Sequence, residues 1–250
     1  GRAHWDLARL LHEHYRSLDE AEAHYRQAAQ LEPTAEHLTG LGVFLYRERR
    51  DAAGALRAYR RALALDEDCG AAHYNLAYAL HAGGRSGDGL EANRHYLRAL
   101  ALRPRDPKVH TNYALFLEER RGEPAPAEAH YRRALRYREM HGCVSENVGT
   151  HFNLARLLQY HKGDFEDAKH HFRQAISLKK DHTQALNALG YIHFLERNLE
   201  KAEGYYAMAL HYDKNDVEVH YNFGCLCVRK ADYESAEFHF RDCLRVNPSD

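Results

Sequence analysis

The sequence predicts an all-α fold of seven stacked helical hairpins, because two short patterns return along the whole chain. The first pattern is alanine, three residues, Tyr or Phe, two residues and a second small residue. Spacings of four and then three residues place these positions on one stripe of a helix. The second pattern lies upstream of every copy of the first and ends in Gly or Ala. One such hairpin cannot bury its stripe alone, so neighbouring hairpins must stack.

The first helix of each hairpin is expected to carry the second pattern. Its terminal Gly or Ala lets the following helix come close, and a large apolar residue such as Leu11, Leu45 or Leu80 follows at helical spacing. The copies occupy residues 4–8, 38–42, 73–77, 110–114, 151–155, 186–190 and 220–224.

The second helix is expected to carry the alanine–aromatic stripe, whose small residues flank a ring on which another helix packs. The copies are Ala21/Tyr25/Ala28, Ala55/Tyr59/Ala62, Ala92/Tyr96/Ala99, Ala127/Tyr131/Ala134, Ala168/Phe172/Ala175, Ala202/Tyr206/Ala209 and Ala236/Phe240/Cys243.

Polar breaks rich in Gly, Asn and Asp separate the two helices of six hairpins and predict turns. They lie at residues 49–51, 83–87, 121–123, 162–164, 197–198 and 231–232. Pro33, Pro104 and Pro248 are expected to close three of the second helices.

The predicted repeats span residues 1–34, 35–69, 70–106, 107–141, 148–182, 183–216 and 217–250, with residues 142–147 as an insertion. We expect these repeats to form one continuous array over residues 1–250 rather than separate domains.

Composition excludes several classes of function. The 35 basic and 36 acidic residues balance, whereas a nucleic-acid partner requires a net basic face. No apolar run is long enough to span a membrane. Five cysteines without framework spacing indicate reduced thiols, as in the cytoplasm or another reducing intracellular compartment.

Motifs for chemistry are missing from the sequence. It has no Gly-rich phosphate loop, nucleophile elbow or paired-carboxylate motif, so we expect neither an enzyme nor a cofactor. Cys227 falls at an apolar position and Cys243 replaces the stripe alanine, so both are predicted to be buried apolar residues.

Together these features resemble the tetratricopeptide repeat family across all 250 residues. The resemblance rests on the small residue of the first helix, the alanine–aromatic stripe and the occasional closing proline. The family's tryptophan position holds His or Leu here, and Trp5 lies one residue later. The resemblance implies a right-handed superhelical solenoid whose first helices line a concave face, and a binding scaffold with no fixed partner.

In that family geometry, the position before the recurrent Leu points into the groove. It holds Asn75, Asn112, Asn153 and Asn222. Because an amide carries both a donor and an acceptor, a row of amides is expected to pair with the backbone of an extended peptide. The alternative is that asparagine is simply common at this position of the family.

Aromatic residues lie on the same predicted face, where rigid rings can anchor a partner or pack against the adjacent repeat. They are Trp5, Tyr74, Tyr78, Phe152, Tyr191 and Tyr221. The predicted groove charges are mixed, which favours a ligand without strong charge. They are Arg9, Arg47, Lys108 and Arg156 against Glu36, Glu118, Glu119 and Glu218.

Histidine recurs at two positions in the same five repeats, and the other two repeats lack both. The pairs are His4/His24, His73/His95, His110/His130, His151/His171 and His220/His239. Duplication of one ancestral repeat, direct contact of two imidazoles or a metal ladder would each explain the pattern. No tight motif supplies the three or four convergent ligands that zinc needs, so no metal is predicted. Paired histidines also predict pH sensitivity.

The function predicted from these observations is a scaffold that binds an extended peptide or a partner helix in the groove, with no chemistry. The alternative is an architectural module that self-associates or spaces the domains of a larger protein, including an enzyme. Chain ends that coincide with repeat ends are expected for a piece of a longer chain, and Phe223, Cys225 and Phe238 suggest a covering element.

Overall fold

The computed structural model describes residues 1–84, 87–140, 142 and 144–246, and its described residues form helices and turns without a strand. Its contacts divide the chain into two compact units, Gly1–Glu123 (unit 1) and Pro124–Asp250 (unit 2). Each of the seven predicted repeats contains two helices. The all-α fold is therefore confirmed, whereas one continuous array over 1–250 stays a prediction.

Unit 1 contains seven helices, of which the first and last each continue into one π-helical turn. They are α1 (Arg2–Leu10, with Leu11–Tyr15), α2 (Leu18–Leu31), α3 (Ala35–Arg47), α4 (Ala52–Leu65), α5 (Gly70–Gly83), α6 (Asp88–Leu102) and α7 (Pro107–Phe116, with Leu117–Arg121).

Unit 2 contains seven further helices and a short 3₁₀ turn, Val144–Asn147, within the predicted insertion. The helices are α8 (Pro124–Met140), α9 (Val148–Leu157, with the π-helical turn Leu158–Lys162), α10 (Phe165–Leu178), α11 (Thr183–Leu195), α12 (Leu199–Tyr212), α13 (Val217–Arg229) and α14 (Tyr233–Val246).

Left-handed residues make the turns within the hairpins. Among the described turn residues, Arg16, Arg50, Gly84, Gly122, Gly163, Arg197 and Ala231 have positive φ angles. Glycine adopts this conformation without the steric cost that a Cβ atom brings. The prolines at 33 and 104 follow the ends of α2 and α6, as predicted. Pro248, Arg85, Ser86 and Cys143 lie outside the described residues.

The alanine–aromatic stripe forms the core of each unit. Tyr59 and Tyr96 in unit 1, and Phe172 and Tyr206 in unit 2, are at most 2% exposed. The predicted close approach of the two helices is also present. A Cβ atom at Gly42 would lie 2.5 Å from Cε1 of Tyr59, well inside van der Waals contact.

Ala168 of α10 has no exposed surface, so it tests the assignment of the stripe. Ala168→Leu should lower the free energy of unfolding by about 1–3 kcal/mol, because extra methylene groups overpack a close contact. Thermal and urea denaturation measure the change. Ala207→Leu, at an exposed position of α12, is the matched control. Equal stability of the two variants would contradict the assignment.

Candidate functional site

A cavity of about 460 Å³ in unit 1 brings together five of the predicted groove residues, including Arg47. Asn75, Tyr74 and Tyr78 reach it from α5, and Asn112 reaches it from α7. The other lining residues are Val43, Tyr46, Arg50 and Tyr59. We call this space the unit 1 cavity.

Hydrogen bonds within unit 1 already engage the amide nitrogens of its two asparagines. Nδ2 of Asn75 donates to the carbonyl oxygen of Ala71 at 2.9 Å. Nδ2 of Asn112 donates to the hydroxyl of Tyr74 at 2.7 Å and to the carbonyl oxygen of Lys108 at 3.0 Å. A ligand therefore meets these amides chiefly through their oxygens, which accept hydrogen bonds.

Four tyrosines surround the unit 1 cavity. The rings of Tyr46 and Tyr78 lie 5.9 Å apart, and those of Tyr74 and Tyr78 lie 6.4 Å apart. Burial raises the pKa of Tyr74 to about 12, with the charge of Arg47 opposing the rise. Burial likewise raises the pKa of Tyr59, which is only 2% exposed. These hydroxyls stay protonated near neutral pH and can donate hydrogen bonds.

Arg47 and Arg50 give the unit 1 cavity a positive charge. Among the described residues that line it, none is acidic. Arg49 differs, because its guanidinium pairs with Asp19 and Glu22. The mixture of charges expected for the groove does not extend to this cavity, because the groove glutamates named from the sequence do not line it.

A second cavity, of about 440 Å³, lies in unit 2 and we call it the unit 2 cavity. Five predicted residues line it, namely Phe152, Arg156, Tyr191, Glu218 and Asn222. The remaining lining residues are Gln159, Tyr160, Phe172, Gln184, Asn187 and Ala188. Arg156 and Glu218 supply one charge of each sign, so the mixed charge that the sequence predicted is present here.

Amide side chains dominate the polar lining of the unit 2 cavity. Nδ2 of Asn222 donates to Oδ1 of Asn187 at 3.0 Å, and Asn187 is only 4% exposed. Gln159 is 6% exposed, and its Oε1 is buried without a hydrogen-bond partner among the described residues. A buried acceptor without a donor costs free energy, and a ligand that donates to it removes this cost.

Two predicted site residues lie outside both cavities. Asn153 is half-buried in α9 and is absent from the lining residues of the unit 2 cavity. Tyr221 is 57% exposed, and its ring lies 6.1 Å from that of Phe240. Trp5 packs between repeats 1 and 2, with its ring 4.9 Å from that of His37. Trp5 therefore packs against the adjacent repeat, which is one of the two roles expected for these aromatic residues.

Helical spacing could have identified several lining residues that the sequence analysis did not name. Val43 and Tyr46 lie four residues and one residue before the predicted Arg47 on α3, whereas Arg50 lies in the turn that follows this helix. Gln159 and Tyr160 lie three and four residues after the predicted Arg156. The face therefore extends one turn beyond the asparagine position in both units.

Direct contact joins the histidine pairs that lie within one unit. The Nδ1–Nδ1 distances are 2.8 Å for His4/His24, 2.8 Å for His73/His95, 3.0 Å for His151/His171 and 2.9 Å for His220/His239. The remaining pair, His110/His130, is divided between the two units. Of the three explanations left open by the sequence, imidazole contact is thus present in these four pairs.

In two of these four pairs, a second hydrogen bond indicates the tautomer. Nε2 of His73 contacts the carbonyl oxygen of Glu67 at 2.9 Å, and Nε2 of His220 contacts that of Lys214 at 3.0 Å. A carbonyl only accepts, so Nε2 carries the proton and Nδ1 of the same neutral ring must accept. The partner histidine then donates from its own Nδ1.

The described cysteines and the potential metal ligands do not form a reactive site. Cys227 and Cys243 are buried as predicted, and burial raises the pKa of the Cys227 thiol. Within the described ranges, no three His, Cys, Asp or Glu side chains converge in a way that could hold a metal ion. No described helix combines the length and apolarity required for a membrane span.

Comparison with known families decides the classification. A sequence profile described as "Tetratricopeptide repeat" matches residues 43–94, 84–139 and 152–216, and a second profile with the same description matches residues 217–250. The chain belongs to the tetratricopeptide repeat family. Membership in this family points to a protein-interaction scaffold, and such scaffolds are in general not enzymes.

Solved structures with the tetratricopeptide fold resemble the chain at low sequence identity. PilF of Pseudomonas aeruginosa is 20% identical with a TM-score of 0.74, covering 86% of this chain and 93% of its own. PilW, a type IV pilus biogenesis factor, is 17% identical with a TM-score of 0.73, covering 86% and 94%. YrrB, described as having an unusual peptide-binding site, is 18% identical with a TM-score of 0.62, covering 78% and 94%. No curated protein matches the chain in sequence.

Proposed function

We propose that this tetratricopeptide repeat protein binds an extended peptide or a partner helix on the cavity-bearing face of its units. The unpartnered Oε1 of Gln159 is the single observation that carries the proposal, because it is a buried acceptor at the wall of a cavity. A peptide N–H is the donor that such an acceptor requires. Asn153 and Tyr221 belong to the proposed face outside the cavities.

The lining of both cavities suits a backbone ligand. The amide oxygens of Asn75 and Asn112 accept hydrogen bonds, and the neighbouring tyrosine rings offer apolar surface to side chains. Backbone groups of an extended chain repeat every ~3.3 Å, so one peptide can meet several amides in turn. YrrB, a fold relative described as having an unusual peptide-binding site, supports the same binding mode here.

Gln159→Met tests the proposal, because it replaces the unpartnered amide with an apolar side chain of similar length. Stability should stay equal or rise slightly, since a buried polar group without a partner is removed. Affinity for a peptide in the unit 2 cavity should fall roughly tenfold, as expected for a lost hydrogen bond of about 1–1.5 kcal/mol. Peptides selected by the native protein from a random 12-residue phage library are titrated by calorimetry.

Two further variants complete the experiment. Gln174→Met, at an exposed position of α10, is the matched control and should bind as the native protein does. Asn112→Ala reports on peptides that occupy the unit 1 cavity instead. Selected peptides that bind equally to native protein, Gln159→Met and Asn112→Ala would place the binding site off both cavities and overturn the proposal.

Self-association or a spacing role in a larger protein is the second candidate function. Exposed apolar side chains on α14 favour it, since Tyr233 is 69% and Phe238 is 59% exposed. Phe223 differs, because its ring is half-buried and stacks on His239 at 4.2 Å. Failure to select any peptide, together with a mass that rises with concentration in light scattering, would favour this function.

A further inference from the structure

The unit 1 cavity has a surplus of hydrogen-bond donors and positive charge. Arg47 and Arg50 line it, and among the described residues neither guanidinium has an ion-pair partner. An arginine on a protein surface commonly finds a carboxylate, as Arg49 does with Glu22 at 2.5 Å. The two arginines on either side of Arg49 in the sequence therefore present their charge to whatever enters the cavity.

Two tyrosines, the buried Tyr59 and the half-buried Tyr74, add uncharged donors to the same lining. Tyr59 is 2% exposed, and its hydroxyl has no hydrogen-bond partner among the described residues. The Tyr74 hydroxyl accepts a hydrogen bond from Asn112 at 2.7 Å, so its own proton remains free to donate. A hydroxyl at the wall of a cavity that has no protein acceptor can donate a hydrogen bond to a ligand.

The acidic group whose charge acts on Tyr74 does not neutralise this lining. Asp106 is close enough for its charge to act on Tyr74. However, its carboxylate caps α7 by accepting from the backbone nitrogen of Lys108 at 2.8 Å. It also pairs with Arg103 at 2.5 Å. Asp106 is therefore compensated locally, and the cavity keeps its positive charge.

We propose that the unit 1 cavity binds a phosphorylated serine or threonine side chain of a peptide. A phosphomonoester carries close to two negative charges and three strong acceptor oxygens, which match two unpaired guanidinium groups and two free tyrosine protons. A single carboxylate offers only one charge and two oxygens, so it leaves part of the lining uncompensated. The amide oxygens of Asn75 and Asn112 accept backbone N–H groups on either side of the phosphorylated residue.

This inference rests on the proposed function and names the ligand of one of its two cavities. Its probe is a set of three oriented peptide mixtures, in which the central residue is phosphoserine, glutamate or serine and the flanking positions are randomised. Native protein should retain the phosphoserine mixture about tenfold better than the serine mixture, with glutamate in between.

Substitutions of cavity residues test whether the preference for phosphoserine arises in the unit 1 cavity. Arg47→Gln/Arg50→Gln should abolish it, and Tyr59→Phe, which removes only a hydroxyl, should reduce it severalfold. Arg133→Gln/Arg136→Gln removes the same charge from exposed positions of α8 and is the matched control. Loss of the preference in the control variant as well would attribute it to net charge and overturn the assignment.

The remaining outcomes separate the two proposals. Equal retention of all three mixtures would overturn phosphate recognition while leaving peptide binding in place, and retention of none would overturn both. Glutamate retained as well as phosphoserine would also overturn the choice of a phosphate. Displacement of the phosphopeptides by oligouridylate at equal phosphate concentration would assign the cavity to nucleic acid instead.

Discussion

Acidification from about pH 7.5 to about pH 5.5 should lower the free energy of unfolding by roughly 4 kcal/mol, because buried histidines cannot take up protons in the folded state. Burial lowers the pKa of His95, His151 and His171 to about 4. An unfolded histidine titrates near 6.5. Each of the three histidines therefore lowers the free energy of unfolding by about 1.3 kcal/mol as the pH falls across this interval.

The sign follows from which state binds protons. Below about pH 6.5 the unfolded chain takes up protons that the folded histidines reject, so stability is present above this value and is lost as the pH falls toward 4. Glu91 and Asp167 oppose the pKa shifts of His95 and His171, yet burial outweighs both. Unperturbed carboxyl groups titrate near 4, so they contribute little above about pH 5.5.

Urea denaturation at a series of pH values measures this slope. His95→Gln should reduce the slope by about one proton between pH 5.5 and 6.5, whereas His211→Gln, at an exposed position of α12, should leave it unchanged. A flat stability profile across the interval, or equal slopes for these two variants, would contradict neutral buried histidine pairs.

The helical repeats were predictable because their signal is local and repeated. Spacings of four and three residues around each ring, as in Ala55/Tyr59/Ala62, set the buried stripe. Helix ends followed from single residues, since Pro33 and Pro104 lie just after α2 and α6. Seven copies of the same pattern leave little freedom in assigning the helices.

The cavities were only partly predictable. Asn75, Asn112 and Asn222 line them from equivalent positions of their first helices, whereas Asn153 at the same position does not line the unit 2 cavity. Glu22 pairs with Arg49 and not with Arg47. This pairing depends on tertiary contacts, which the spacing of residues in the sequence does not reveal. Burial of the Gln159 amide likewise depends on the packing of neighbouring helices.

The histidine pattern shows the same limit. Co-occurrence of His73 and His95 within one repeat was visible in the sequence, but it could not distinguish duplication from contact. Only the 2.8 Å separation of their Nδ1 atoms, together with the Nε2 contact of His73 with a carbonyl oxygen, decides for a hydrogen-bonded pair.

Glu196→Ala should lower the free energy of unfolding by about 3 kcal/mol, because it leaves the Lys169 ammonium group buried with a weaker partner. Lys169 of α10 is only 6% exposed. Its Nζ donates to Glu196 at 2.6 Å and to Glu166 at 2.8 Å. Glu166 is 84% exposed at its side chain, so water screens its interaction with the ammonium group.

Lys169→Met distinguishes a buried ion pair from ordinary packing at this position. Methionine fills similar space without a charge, so its cost should be under about 1.5 kcal/mol and smaller than that of Glu196→Ala. Adding Lys169→Met to Glu196→Ala should restore most of the lost stability, since no buried charge then remains. Urea denaturation of the single and double variants gives the coupling. Additive losses in the double variant would show that Glu196 stabilises the fold through contacts other than its pair with Lys169.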